Sequence, residues 1–155
     1  MDVVVRRSPA MVVRPSAATS GIAIKLSSFD RPNATVPVTA FLVFENPIRD
    51  AAKTIKRALS RALVPYYPIS GRIVAGPGCG GGDDDEELHI RCSGKGGVAF
   101  VAASANRALK DAEFFARSAD TRTTPLLDEL AVYYPAERCG PADPLMMIKV
   151  LNLRL

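Results

Sequence analysis

The chain has no tryptophan, a single histidine (His89), three cysteines, six phenylalanines and four tyrosines among 155 residues. Each scarcity excludes something. Cys79, Cys92 and Cys139 lie too far apart for a Cys-x-x-Cys metal or redox unit. An odd, sparse set also makes no disulfide framework and fits a reducing compartment. No stretch approaches the roughly 18 uninterrupted apolar residues of a membrane helix. The start, Met1-Asp2-Val3-Val4-Val5-Arg6-Arg7, lacks the continuous apolar core of a signal peptide. These absences predict a cytoplasmic protein with no membrane partner. Aromatic residues are not interleaved with basic ones for base stacking, so no nucleic-acid partner is expected.

What is present describes a folded domain. Hydrophobic residues make up 48% and charged residues 23%, a balance that argues against disorder. The length suits one domain with a real core. The net charge of +4 conceals an asymmetry: residues 1–72 carry +7 and residues 73–155 carry −3. A mild excess spread over 72 residues reads as solvated surface rather than as an anion site.

Hydrophobic periodicity sets the elements. Residues 22–29 alternate loosely and read as a strand, closed by the turn cluster Asp30-Arg31-Pro32-Asn33. Residues 36–45 are β-branched and aromatic (Val36, Val38, Thr39, Phe41, Val43, Phe44) and predict a strand. From Pro47, apolar residues recur at three- and four-residue steps over 48–63, predicting a helix that Pro65 ends. Its other face carries Arg49, Lys53, Lys56, Arg57 and Arg61. A loop then leads to a strand over 69–75. Residues 76–87 read as a Gly-rich and acidic surface insert. Strands follow at 88–92 and 98–103, joined by Ser93-Gly94-Lys95-Gly96-Gly97, which has hairpin turn chemistry. Helices are expected near 106–117 and 126–130. The last strand, 145–155, runs to the end of the chain and should leave an open edge, making the isolated chain oligomeric or poorly soluble.

Candidate chemistry is sparse. Gly76-Pro77-Gly78-Cys79-Gly80-Gly81 literally matches Gly-x-Gly-x-x-Gly, but five acids (Asp83, Asp84, Asp85, Glu86, Glu87) follow it. A pyrophosphate needs a helix N-terminus there, not a run of anions. Consecutive acids also lack the alternating ligand spacing of a calcium loop, so no metal site is expected. His89 sits on the strand face opposite Leu88, Ile90 and Cys92, and the residue four places on is Ser93. A general base needs an orienting group, and no acid occupies that fourth place to serve. The residues predict no catalytic, cofactor-binding or metal-ligating position.

Several segments resemble the plant BAHD acyltransferases. They are Arg14-Pro15 with Leu26-Ser27-Ser28-Phe29-Asp30, the helix 51–63 entering Tyr66-Tyr67-Pro68-Ile69-Ser70-Gly71-Arg72, the stretch 88–100, and Asp143-Pro144-Leu145-Met146-Met147. The resemblance implies an α/β (α+β) fold, a mixed sheet with flanking helices, of the two-domain chloramphenicol-acetyltransferase-like type. It implies acyl transfer from acyl-CoA to a small alcohol or amine acceptor. Members of that family are much longer, and their base is the His of a His-x-x-x-Asp motif placed shortly after the strand matching 145–155. Neither that motif nor Asp-Phe-Gly-Trp-Gly occurs here. The resemblance therefore implies that residues 1–155 are a single incomplete N-terminal acyltransferase domain. Alone it should be inactive, with acyl-CoA a co-substrate of complete members only. The other reading is a non-catalytic interaction protein that pairs with a full-length acyltransferase, or with itself, through the open strand 145–155.

Overall fold

Apolar residues three and four positions apart wind into a helix over Ala51–Ala62 (α1). The computed structural model that shows it describes residues 4–44, 46, 48–76, 87–108, 131 and 143–154. Ala51, Ala52, Ile55 and Leu59 form the inward stripe, and Leu63, just past the last turn, is only 1% exposed. The helix starts later than the expected 48. Asp50 adopts a left-handed conformation (φ 51°), which a short polar side chain tolerates, and its carbonyl accepts the first helical bond from the Thr54 N–H (2.9 Å). Ile48 is thereby left outside the helix and exposed; Arg49, Lys53, Lys56, Arg57 and Arg61, read as the outer face, are exposed too.

The strands are β1 (Val5–Arg7), β2 (Met11–Val13), β3 (Ala23–Lys25), β4 (Arg72–Gly76), β5 (Glu87–Arg91), β6 (Val98–Ala108) and β7 (Met147–Arg154). β6 is the spine of a four-stranded mixed sheet. β1 and β2 lie end to end along one edge, antiparallel, with Val5 opposite Ala105 and Val13 opposite Val98. β7 runs parallel along the other edge, with Phe100 opposite Ile148 and Ala102 opposite Val150. Side chains alternate across a strand, so Val98, Phe100 and Ala102 share a face with Val13, Ile148 and Val150. α1 packs on that face and closes the core.

The second sheet is antiparallel, in the order β3-β5-β4. Ile90 lies between Ile24 and Ile73, and Gly76 faces Glu87 at the end of the ladder. Both ends of the expected 76–87 insert are thus strand residues, and 77–86 lie outside the described residues. Ahead of β3's partner ladder, the turn cluster forms as expected. The Asp30 carboxylate accepts from the Ser27 hydroxyl (2.6 Å), and a 3-10 turn covers Arg31–Asn33.

The mixed α/β class holds, and four local expectations are corrected. Residues 93–97 are not a hairpin turn. β5 already has β3 and β4 on its two edges, so the glycine-rich stretch carries the chain into the other sheet, where β6 begins. Residues 36–44 belong to no strand, because strand preference expresses fit to a pleated, half-buried surface and this segment lies open to solvent. Residues 106–108 extend β6 rather than open a helix, and the rest of both expected helices (109–117 and 126–130) lies outside the described residues. The strand expected over 69–75 is also shifted. A 3-10 turn covers Tyr67–Ser70, and β4 begins at Arg72.

Candidate functional site

His89 is the sole imidazole and sits mid-ladder in β5, opposite Lys25 on one side and Val74 on the other. It is half-buried, with its ring lying on Gly76. A methyl group at Gly76 would stand 2.5 Å from the His89 Cε1 atom. Its Nδ1 lies 3.3 Å from the Glu87 carbonyl oxygen, a main-chain partner that the residue pattern does not signal. The Glu87 carboxylate is engaged elsewhere, by Lys25 and, at 3.8 Å, by Arg31. The hydrogen bond from Lys25 holds the Glu87 carboxyl below its ordinary range, with the charges of Lys25, Arg31 and His89 adding to it and partial desolvation opposing it. The acid two residues before the histidine is therefore an ion-pair member in this sheet.

The most organised part of the chain is the junction between the sheets. Pro68 lies in the 3-10 turn Tyr67–Ser70, and Gly71 follows in an extended conformation. A side chain at Gly71 would meet Ile90 Cγ2 at 2.5 Å and two carbonyl oxygens at 3.0 Å. Arg72 then turns its half-buried guanidinium back. Its Nη1 donates to the carbonyls of Ser70 (3.2 Å), Gly71 (2.7 Å) and Gly97 (3.1 Å). Gly96 lies against the Ser70 carbonyl and Gly97 against the Val13 carbonyl, approaches that leave no room for a Cβ. The Tyr-Tyr-Pro-x-x-Gly-Arg segment is thus a clamp that fixes one sheet against the other.

Beside the clamp runs a narrow cleft bordered by Thr19, Tyr67, Ser70, Cys92, Ser93 and Gly96, without space for a water-sized group. Ser70 is 5% exposed, and its hydroxyl has no hydrogen-bond partner among the described residues. Burial pushes the Cys92 thiol pKa up, so at neutral pH it is protonated and a poor nucleophile. Cys79, Cys139 and residues 77–86 lie outside the described residues. Among the described residues, no three His, Cys, Asp or Glu side chains gather as metal ligands. Also among them, no helix is long and apolar enough to cross a membrane.

A scan against protein-family models matches the Transferase family over residues 3–154. The chain belongs to this family, the BAHD acyltransferases. Among curated members, it is 49% identical over 115 residues to acyl transferase 15 of Oryza sativa subsp. japonica, covering 72% of this chain and 25% of that protein. It is 39% identical over 153 residues to acyl transferase 8 of the same organism, covering 93% and 32%. This BAHD chain thus spans about a quarter to a third of the length of these relatives. Its fold is similar to the crystal structure of vinorine synthase, with a TM-score of 0.62 at 19% identity over 97% of this chain and 35% of that one. The clamp that sequence reasoning missed as a structural device carries a visible signal: Gly71, Gly96 and Gly97 bracket it.

Proposed function

We propose that this chain supplies one portion of an acyltransferase that moves an acyl group from a coenzyme A thioester to an alcohol or amine, and that alone it does not catalyse the transfer. In that reaction the acceptor oxygen or nitrogen attacks the thioester carbonyl, a base takes its proton, the C–S bond breaks and the coenzyme thiol is released. The base is worth typically 10²–10⁴-fold, and positioning the two substrates contributes more. The reading of inactivity rests on one observation above others. The only imidazole is built into the middle of the β5 ladder, on top of Gly76, away from the strand after which the family resemblance puts its catalytic histidine. In this reading residues 1–155 form a single incomplete domain of a cytoplasmic enzyme, and the sheets and clamp hold surfaces in place without reacting.

The test is direct. Purified chain is incubated with acyl-CoA and a panel of alcohols and amines, and free thiol release is followed against a denatured control. We expect no turnover above the control, and measurable turnover would overturn the proposal. A second reading is favoured by one feature. The outer edge of β7 pairs with no other strand among the described residues. A chain with such an edge suits a non-catalytic partner that adds a strand to a full-length acyltransferase or to itself through 145–155. Co-sedimentation with a full-length relative, lost on proline substitution of Leu151, would support it.

A further inference from the structure

We propose that the outer face of α1 is a docking surface for an anionic lipid membrane, held by charge at the headgroup layer; the proposal does not depend on the acyltransferase reading. Lys53, Arg57 and Arg61 stand four residues apart with Lys56 beside them, so the four share one side of the helix over about 12 Å of its length. All four are exposed, as is Arg49 just ahead of the helix. Between Asp50 and Asp83 the sequence has no acid. The basic excess spread along residues 1–72 is thus partly gathered on one ridge. The end of β2 adds to it. The Ser60 hydroxyl donates to the Arg14 carbonyl (2.8 Å), which sets exposed Arg14 beside the last turn, its Nε donating to the Lys95 carbonyl (3.3 Å).

This arrangement works against the helix itself. Like charges four residues apart repel, and the first turn carries Lys53 and no acid at the positive end of the helix dipole. No ion pair among the described residues uses a cation of α1. An anionic surface offsets that repulsion. What stands around the ridge selects a membrane over another polyanion. Met11 lies against Lys56, whose Nζ reaches its Sδ at 3.5 Å, Ile48 precedes the helix, and Tyr66 follows it, its N–H donating to the Ala62 carbonyl (3.1 Å). The three are 42, 45 and 63% exposed. Apolar tips and a tyrosine among Lys and Arg suit a headgroup layer, where they find acyl-chain boundary to bury in, whereas an acidic peptide or nucleic acid offers only charge. Four to eight cations on an amphipathic helix are the composition that anionic lipid attracts. The apolar stripe of α1 is packed on the β6 sheet, so the helix does not insert, and the attraction is peripheral and screened by salt. The lack of a spanning run, which predicts no membrane partner, does not bear on this face, since a helix lying on headgroups needs no length to span.

The experiment is co-sedimentation of the 155-residue chain with vesicles of phosphatidylcholine alone and of phosphatidylcholine mixed with phosphatidylserine. We expect partitioning onto the phosphatidylserine vesicles at least about tenfold stronger than onto the neutral ones, and its loss near about 1 M salt, where the Debye length falls to about 3 Å. Lys53→Gln/Arg57→Gln should weaken it about tenfold or more, because each cation near the anionic surface adds to the binding. Lys25→Gln/Arg91→Gln removes the same charge from β3 and β5, in the sheet that α1 does not cover, and should leave partitioning unchanged. Glutamine is a good helix former and both replaced side chains of α1 are exposed, so circular dichroism should show the fold intact. The salt titration of the wild-type chain decides the matter even where a variant fails to fold. No binding to either vesicle, equal binding to both, binding that resists salt, or equal loss in the two double variants would each overturn the proposal. Retention of the chain by duplex DNA or polyglutamate without vesicle binding would also overturn it and give the face to another class of polyanion.

Discussion

The sheet built on β6 and the sheet built on β5 use the same ladder hydrogen bonds but differ in what stands behind them. α1 covers one face of the β6 sheet, where Val98 and Phe100 are 0 and 1% exposed. In the β5 sheet no strand residue is fully buried. Its supports are the half-buried Ile24, Ile73 and Ile90, the pairing of Glu87 with Lys25 and Arg31, and the close backbone approaches at Gly71 and Gly76. Ladder bonds gained in folding replace bonds to water, so they align strands more than they stabilise them. Apolar burial carries the stability, and it lies overwhelmingly on the β6 side.

The comparison can be broken most forcefully at Phe100. Phe100→Ala should cost about 3–5 kcal/mol, a large part of the total stability of a domain this size, and urea denaturation should show it as unfolding of the whole chain. Gly96→Ala strikes the junction instead. The new methyl group meets the Ser70 main-chain carbonyl, and neither side can yield without moving a sheet. We expect about 1–3 kcal/mol, together with faster amide exchange in β4 and β5 than in β6. A β5 sheet as well supported as the β6 sheet would show equal acceleration in both. The smallest effect belongs to Glu87→Gln. The wild-type carboxyl is held below its ordinary range, so its contribution is present at neutral pH and lost as pH falls through the lowered value. The difference in urea midpoint between wild type and variant should therefore be seen at neutral pH and shrink as acid protonates the carboxyl, and salt should shrink it as well. A difference that persisted in acid would assign the effect to packing instead.

The two sheets were unequally legible in the sequence. The helix stands out because Ala51, Ile55 and Leu59 repeat at the helical period, and β6 and β7 because they are apolar runs of adequate length. β1 and β2 leave no comparable trace. Each has three residues and exists because the long β6 offers an edge, a tertiary cause that no local window records. The same reasoning bears on 36–44, where strong β-formers join no strand among the described residues. It also explains 93–97, where turn residues serve a crossover because β5 has no edge left. At the candidate site, the solitary His89 and the missing His-x-x-x-Asp were plain from the residues alone. The Glu87 carbonyl beside Nδ1 and the Arg72 clamp were not, since both depend on main-chain atoms brought together by the ladders.

The pairing of Gly76 with Glu87 has a practical consequence for anyone handling this protein. Register between β4 and β5 is set up to that last pair, so the span from 77 to 86 is not counted in the alignment of the strands. A fluorescent or epitope sequence joined between Gly76 and Glu87 would lie beyond the last paired position and add no residue between the paired positions of β4 and β5, which makes that point the one to choose for tracking the chain in a cell.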